Sequence, residues 1–148
     1  MYSNGIQSYV KTDISTSDPL RLVIMCYEGA IDSLKLAKEK MKEENYEKKA
    51  KAFIKAQDII DELLCSLDFE KGGDIARNLS SLYNYMLRRI LHGNVNKDMN
   101  AIDEVIGMLN ELLSAWQSIY LQKEVQAPSD TDNLNHNKAA ISSGYISI

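Results

Sequence analysis

Two histidines, His92 and His136, and two cysteines, Cys26 and Cys65, are the side chains with which this 148-residue chain could hold a metal or build a nucleophile. Their spacing does neither. His92 stands at a helix end beside Gly93 and His136 in a polar tail, so no histidine pair exists to ligate an ion or act as a base. A di-iron bundle requires Glu-x-x-His on two helices, and neither histidine has a glutamate three residues before it. The Cys-x-x-Cys-His that would attach a haem is absent, and Met86 and His92, six apart on one helix, cannot both face one iron. Ser80, Ser81 and the other serines have no partner base nearby in sequence. Asp58, Asp61 and Glu62 are read as an outer helical face, a solvated surface rather than a catalytic carboxylate pair. The cysteines lie mid-helix and are expected to be buried or half-buried free thiols in a reducing compartment. The expectation is a protein that is not an enzyme and uses no metal or cofactor.

Composition narrows the class further. Hydrophobic residues make up 45% and charged residues 26% of the chain, with a mean hydropathy of -0.30, as in an ordinary soluble domain. The length suits one domain with a proper core. A net charge of -4 and a pI near 5.2 argue against nucleic acid, whose phosphates are bound by clustered Lys and Arg. No apolar run reaches membrane-spanning length, and the first twenty residues carry acids and serines rather than a basic-then-apolar signal. A cytoplasmic protein with no membrane insertion is expected.

Four long periodic segments must position whatever surface the chain offers. Asp18 can accept from the free amides of a first turn, and Pro19 at the first helical position loses no bond there. Beyond it Leu20, Val23, Ile24, Tyr27, Ala30, Ile31, Leu34, Ala37 and Met41 keep to one wide face, which predicts a helix over about 18–42. Asn45 is a plausible cap for a second helix, with Tyr46, Ala50, Phe53, Gln57, Ile60, Leu64 and Leu67 inside. Gly72 and Gly73 are expected to stop it, and Asp74 to start a third helix with Ile75, Leu79, Leu82, Tyr83, Met86 and Ile90 inward. Gly93 and Asn94 are expected to close the third. A fourth runs from about Asp98, with Ile102, Val105, Leu109, Leu112, Trp116 and Ile119 in one seam and Ile106, Leu113 and Tyr120 in another.

Short connections make neighbouring helices antiparallel, so the fold is expected to be all-α, an antiparallel up-down-up-down four-helix bundle. Its helices would be roughly 30 to 37 Å long at the usual rise. The bundle domain is assigned to residues 18–126, behind an N-terminal arm over 1–17. Residues 127–148 turn to Ser, Asp, Asn and Lys and are expected to form a disordered tail.

Two bulky seams on the fourth helix exceed what one core needs, and the third carries Ala76, Leu87 and Leu91 beside its inner row. The excess fits either a compact bundle with wide apolar faces or a groove for an amphipathic partner segment. Tyr9 and Ile14, in an arm without a long helix of its own, must lie on something. The second helix is also charged backwards. Lys48, Lys49, Lys51 and Lys55 stand at its start and Asp58, Asp61 and Glu62 at its end, against its macrodipole.

The arm and first helix, Tyr9, four residues, Ile14, one residue, then Thr16-Ser17-Asp18-Pro19 and a Met25-x-Tyr27-Glu28-Gly29-Ala30 helix, closely resemble the flagellar secretion chaperones that bind flagellin. Three further blocks follow in the order of that family. They are Ile54-Lys55-Ala56-Gln57-Asp58-Ile59-Ile60-Asp61-Glu62-Leu63, then Leu82-Tyr83-Asn84-Tyr85-Met86-Leu87-Arg88-Arg89 with Asn94 and Asp98, and last Ala115-Trp116. The resemblance covers about Tyr9 to Tyr120. Cys26 and Gly93 stand where leucine and alanine are usual, Asp18 replaces a serine and Glu28 an aspartate.

The resemblance implies a cytoplasmic export chaperone whose apolar surface grips the C-terminal segment of flagellin. It would prevent premature polymerisation and assist delivery to the flagellar export machinery, with no cofactor. Tyr9 and Ile14 of the arm, Leu22, Met25 and Tyr27 of the first helix, Gln57 of the second, and Leu82, Tyr83 and Met86 of the third are the expected partner-binding residues. For Leu22, Leu82 and Met86 a core role is equally compatible, whereas Tyr9, Gln57 and Tyr83 have polar ends that an apolar core would have to satisfy. Tyr85 is expected to stack on the surface near Arg88 and Arg89. The other class that fits is a self-associating helical module without a client. The free protein is expected to be a monomer or weak homodimer.

Overall fold

The chain enters its first helix through Asp18, whose Oδ1 accepts the Leu20 amide at 3.1 Å while Pro19 occupies the first turn. In the computed structural model, which describes residues 18–126, four helices follow: α1 (Pro19–Lys42), α2 (Tyr46–Cys65), α3 (Phe69–Asn96) and α4 (Met99–Gln126). Tyr9, Ile14, the arm over 1–17 and the tail over 127–148 lie outside the described residues. Each helix packs on its sequence neighbour, and α1 closes the ring against α4, an antiparallel four-helix bundle as expected. Among the described residues α1 and α3, and likewise α2 and α4, face each other only across the centre.

Each joint has a chemical cause. The Glu43 and Asn45 amides reach back to the Glu39 and Lys40 carbonyls, Glu44 adopts a positive φ of 58°, and the Asn45 side chain accepts the Lys48 amide. Ser66 ends α2, with its hydroxyl on the Leu63 carbonyl at 2.8 Å. Asp68 then caps α3 by accepting the Glu70 and Lys71 amides, both at 3.0 Å. Asp98 does the same for α4 through the Asn100 and Ala101 amides. Asp18 has a second duty: its Oδ2 takes the Lys123 ammonium at 3.0 Å, tying the start of α1 to the last turns of α4.

α1 and α2 come closest, because small residues meet there. Ala30, Ser33 and Ala37 on α1, and Ala52 and Ala56 on α2, are all buried and let the two backbones approach. Larger side chains fill the rest of the core. Tyr27, Leu34, Phe53, Ile59, Ile60, Met86, Ile90, Ile102, Val105 and Leu109 are wholly or almost wholly buried, and truncating any one leaves a cavity worth a few kcal/mol, about 2–5 for Leu→Ala.

Several local expectations are corrected. Gly72 and Gly73 do not separate two helices. The break is at Ser66 to Asp68, and Gly73, at φ 52° and ψ -125°, kinks α3 from within. Gly93 does not end α3 either. It is buried one turn before the end, and Lys97 in the left-handed region makes the cap, its amide on the Gly93 carbonyl. Gly93 is there for closeness, since a Cβ would meet Ile102 Cδ1 at 2.5 Å and the Asp98 carbonyl at 3.0 Å. Ile75 and Tyr46, expected inward, are about half exposed, at 46% and 47%. Cys26 is buried but Cys65 is exposed, and both are free thiols. Asp58 and Asp61 are half-buried rather than fully solvated.

Candidate apolar grooves beside the third helix

Tyr27, Tyr83 and Met86 are expected on the partner surface from the family resemblance although their periodicity puts them on inner rows, and the structure places all three in the core. The Tyr27 and Tyr83 hydroxyls lie 2.6 Å apart, and their rings meet at 6.4 Å between centroids. Trp116 of α4 packs edge-on against Tyr27, also at 6.4 Å. The polar end that marked Tyr83 as a partner contact is therefore satisfied inside the bundle. Burial pushes both phenols above their usual range, for Tyr27 against the lowering effect of its bonds to Tyr83 and Trp116. Met86 is 0% exposed. Burial, with the Glu62 charge second, also lifts the Cys26 thiol to about 11, so it stays protonated and inert at neutral pH.

Partly exposed apolar residues lie in rows on both flanks of α3. One flank faces α4 and is fixed by Glu104, which accepts from the Tyr85 hydroxyl and from Arg89 Nε at 2.8 Å. Leu82, three residues before Tyr85, and Ile75, seven before that, continue this flank along α3. On α4, Met108 and Leu112 follow Glu104 at intervals of four, and Ile119 follows seven later. Leu82, Met108, Leu112 and Ile119 are half-buried and pack against the core, while Ile75 is 46% exposed. By helical spacing they form a partly exposed apolar row along the α3/α4 seam, a candidate groove with the polar Tyr85, Arg89 and Glu104 at one end. Tyr85 also carries the Arg88 guanidinium 6.0 Å from its ring, the surface stacking that its position suggested.

The other flank faces α2. Tyr46 meets Lys97 there, and Ala50, Gln57 and Leu64 lie on the same stripe of α2 as Tyr46. Gln57 is half-buried in that row. Opposite it, Leu87, Leu91 and Val95 step by four along α3, with Leu91 55% and Val95 69% exposed.

Leu22 and Met25, the remaining expected residues, lie away from α3. Leu22 is half-buried one turn before Cys26. Met25 lines a hollow of about 360 Å³ between α1 and α4, with Arg21, Ile24, Glu28, Gln117, Tyr120 and Leu121. The expected residues thus do not form one site. Leu82 and Gln57 border α3 on opposite sides, Met25 sits in the α1/α4 hollow, and Tyr27, Tyr83 and Met86 present no surface. Sequence reasoning overlooked Met108, whose signal was its place one turn after Glu104.

The outer charges serve the scaffold. Lys38 pairs with Asp103 across α1 and α4, and Arg89 with Glu104 across α3 and α4. On α2, Asp58 and Asp61 are raised by burial, with mutual repulsion adding to the shift of Asp58. Among the described residues no three His, Cys, Asp or Glu side chains gather as a metal site, and no helix is long and apolar enough to cross a membrane.

The chain matches a family model described as flagellar protein FliS over residues 2–124. It is 40% identical over 125 residues to the flagellar secretion chaperone FliS of Salmonella typhimurium, covering 80% of this chain and 93% of the relative. The chaperone of that name in Vibrio cholerae is 37% identical over 119 residues, covering 78% and 88%. The one in Bacillus subtilis is 29% identical over 114 residues, covering 77% and 84%.

Proposed function

Because this chain belongs to the flagellar protein FliS family, we propose that it is a cytoplasmic export chaperone that grips the C-terminal segment of flagellin along the α3/α4 groove. The observation that carries this reading is the row of Leu82, Met108, Leu112 and Ile119, partly open to solvent along one seam of the bundle. A segment that is disordered before binding loses conformational entropy when it orders, so it needs a long apolar surface rather than one pocket. From Met108 to Ile119 the groove runs roughly 16 Å, enough for about three helical turns of a client. Covering the apolar face of that segment would block its pairing with other flagellin copies and hold the subunit ready for the export machinery. The chaperone reading calls for binding surface and for no reacting group.

Co-purification tests it. Flagellin with an intact C-terminus is expected to be retained by the immobilised chain, and flagellin lacking that segment to be lost. Equal retention of both would move the contact elsewhere on flagellin. Retention of neither, with a tight dimer in solution, would favour a self-associating module.

A further inference from the structure

The α2/α3 flank differs from the α3/α4 groove in its charge. Leu87, Leu91 and Val95 form an apolar row that climbs α3 toward its C-terminus, the last two largely exposed. Where the row ends, Lys97 Nζ sits 5.1 Å from the Tyr46 ring centroid and 3.4 Å from the Tyr46 hydroxyl. Lys49 Nζ lies 5.1 Å from the same centroid. Two ammonium groups therefore border one aromatic ring, at the end of a row whose Leu91 and Val95 are exposed among the described residues. A carboxylate brought to this end of the row would meet both ammonium groups. Lys49 belongs to the run of lysines that opens α2 against its macrodipole, where Lys51 pairs with Glu47.

We propose that the α2/α3 flank is a second docking surface, for an acidic amphipathic helix of another protein. Its apolar face would lie on Leu87, Leu91 and Val95, and its carboxylates would meet Lys49 and Lys97. From Leu87 to Lys97 the surface is roughly 15 Å long, which suits about three turns of helix. The surface lies across α3 from the groove assigned to flagellin, so a client and this partner fit the bundle together. The proposal does not rest on the flagellin reading.

The test uses the full chain and two synthetic peptides of about 14 residues, each with leucines at i, i+3, i+4 and i+7. One carries glutamate at its flanking positions, the other lysine. Calorimetric titration is expected to show binding of the glutamate peptide and none of the lysine peptide. The double charge reversal Lys49→Glu with Lys97→Glu is expected to weaken the glutamate peptide about tenfold, the worth of two exposed ion pairs. Leu91→Ser with Val95→Ser is expected to abolish it. The chain's melting midpoint is expected to stay nearly in place, since Leu91, Val95 and Lys97 are exposed and Lys49 is only half-buried. Equal binding of both peptides, or an unchanged affinity after charge reversal, would overturn the proposal. So would displacement of the glutamate peptide by the flagellin C-terminal segment, because the surface would then belong to the client.

Discussion

The hydroxyls of Tyr27 and Tyr83, 56 residues apart in sequence, meet at 2.6 Å in the middle of the bundle and join α1 to α3, which are not neighbours in the ring. The bond sets a polar link where α1 and α3 meet beside Trp116 of α4. It makes α1 and α3 register with each other as well as with their neighbours.

Removing one hydroxyl leaves its partner buried with one bond fewer. Tyr83→Phe and Tyr27→Phe are each expected to lower stability by about 1–2 kcal/mol. The double variant should cost less than the sum of the two, because the orphan disappears. Urea unfolding of the four proteins checks this. Flagellin binding by Tyr83→Phe should match that of the parent, since Tyr83 is 2% exposed.

Gly93 and Gly107 are expected to respond oppositely to alanine. At Gly93 a methyl would press on Ile102 and the Asp98 carbonyl, so Gly93→Ala should destabilise by about 1–3 kcal/mol. Adding Ile102→Val should recover part of that loss. At Gly107, exposed in mid-helix with nothing within 4 Å of a new Cβ, alanine should stabilise by about 0.5–1 kcal/mol. Melting curves of the three variants decide it.

Acid should weaken the bundle through two identifiable carboxyls. Glu104 is lowered chiefly by the Tyr85 hydroxyl and then by Arg89. Burial raises Asp98, but its bonds to the Ala101 amide, His92 and the Asn100 amide together bring it below its ordinary value. A folded value below the unfolded one contributes stability above the ordinary 4.5 and 3.8, lost as pH falls through the lower folded value. The melting midpoint should therefore drop on acidification below about pH 4, less steeply in Glu104→Gln. Asp58 and Asp61 have the opposite sign. Raised by burial, they oppose folding while charged, so Asp58→Asn and Asp61→Asn should raise the midpoint at neutral pH and lose that advantage in acid.

The four helices were legible in the apolar periodicity, and α1 and α4 nearly to the residue, because Asp18, Pro19 and Asp98 are strong start signals. The glycines misled for a physical reason. Gly73 serves a kink and Gly93 a close approach to Ile102, and neither role differs in sequence from a terminator. Asp68, which does cap α3, was hidden behind the apolar row that Leu64 and Leu67 prolong. The candidate site was less legible than the fold. A hydroxyl on an inner row marks a polar need, but only the packing of α1 on α3 reveals that Tyr27 meets the need of Tyr83.

Charge placed in the α3/α4 groove should separate binding from folding. Leu82→Glu and Leu112→Glu would leave a carboxylate half-exposed in the free bundle and fully buried only under a client, so each is expected to weaken flagellin at least about tenfold. Each should lower the melting midpoint far less than truncation of the fully buried Leu109. Pull-down against circular-dichroism melting tests this, and a parallel loss of both signals would return these leucines to the core.

Calorimetric titration of the full chain with flagellin, intact and lacking its C-terminal segment, tests the central claim most directly. The intact protein is expected to bind with a large negative heat-capacity change and only a shallow dependence on salt, as an apolar groove requires, and the truncated one to give no heat of binding. Equal binding of the truncated flagellin, or a steep loss of affinity between low and physiological salt, would contradict it.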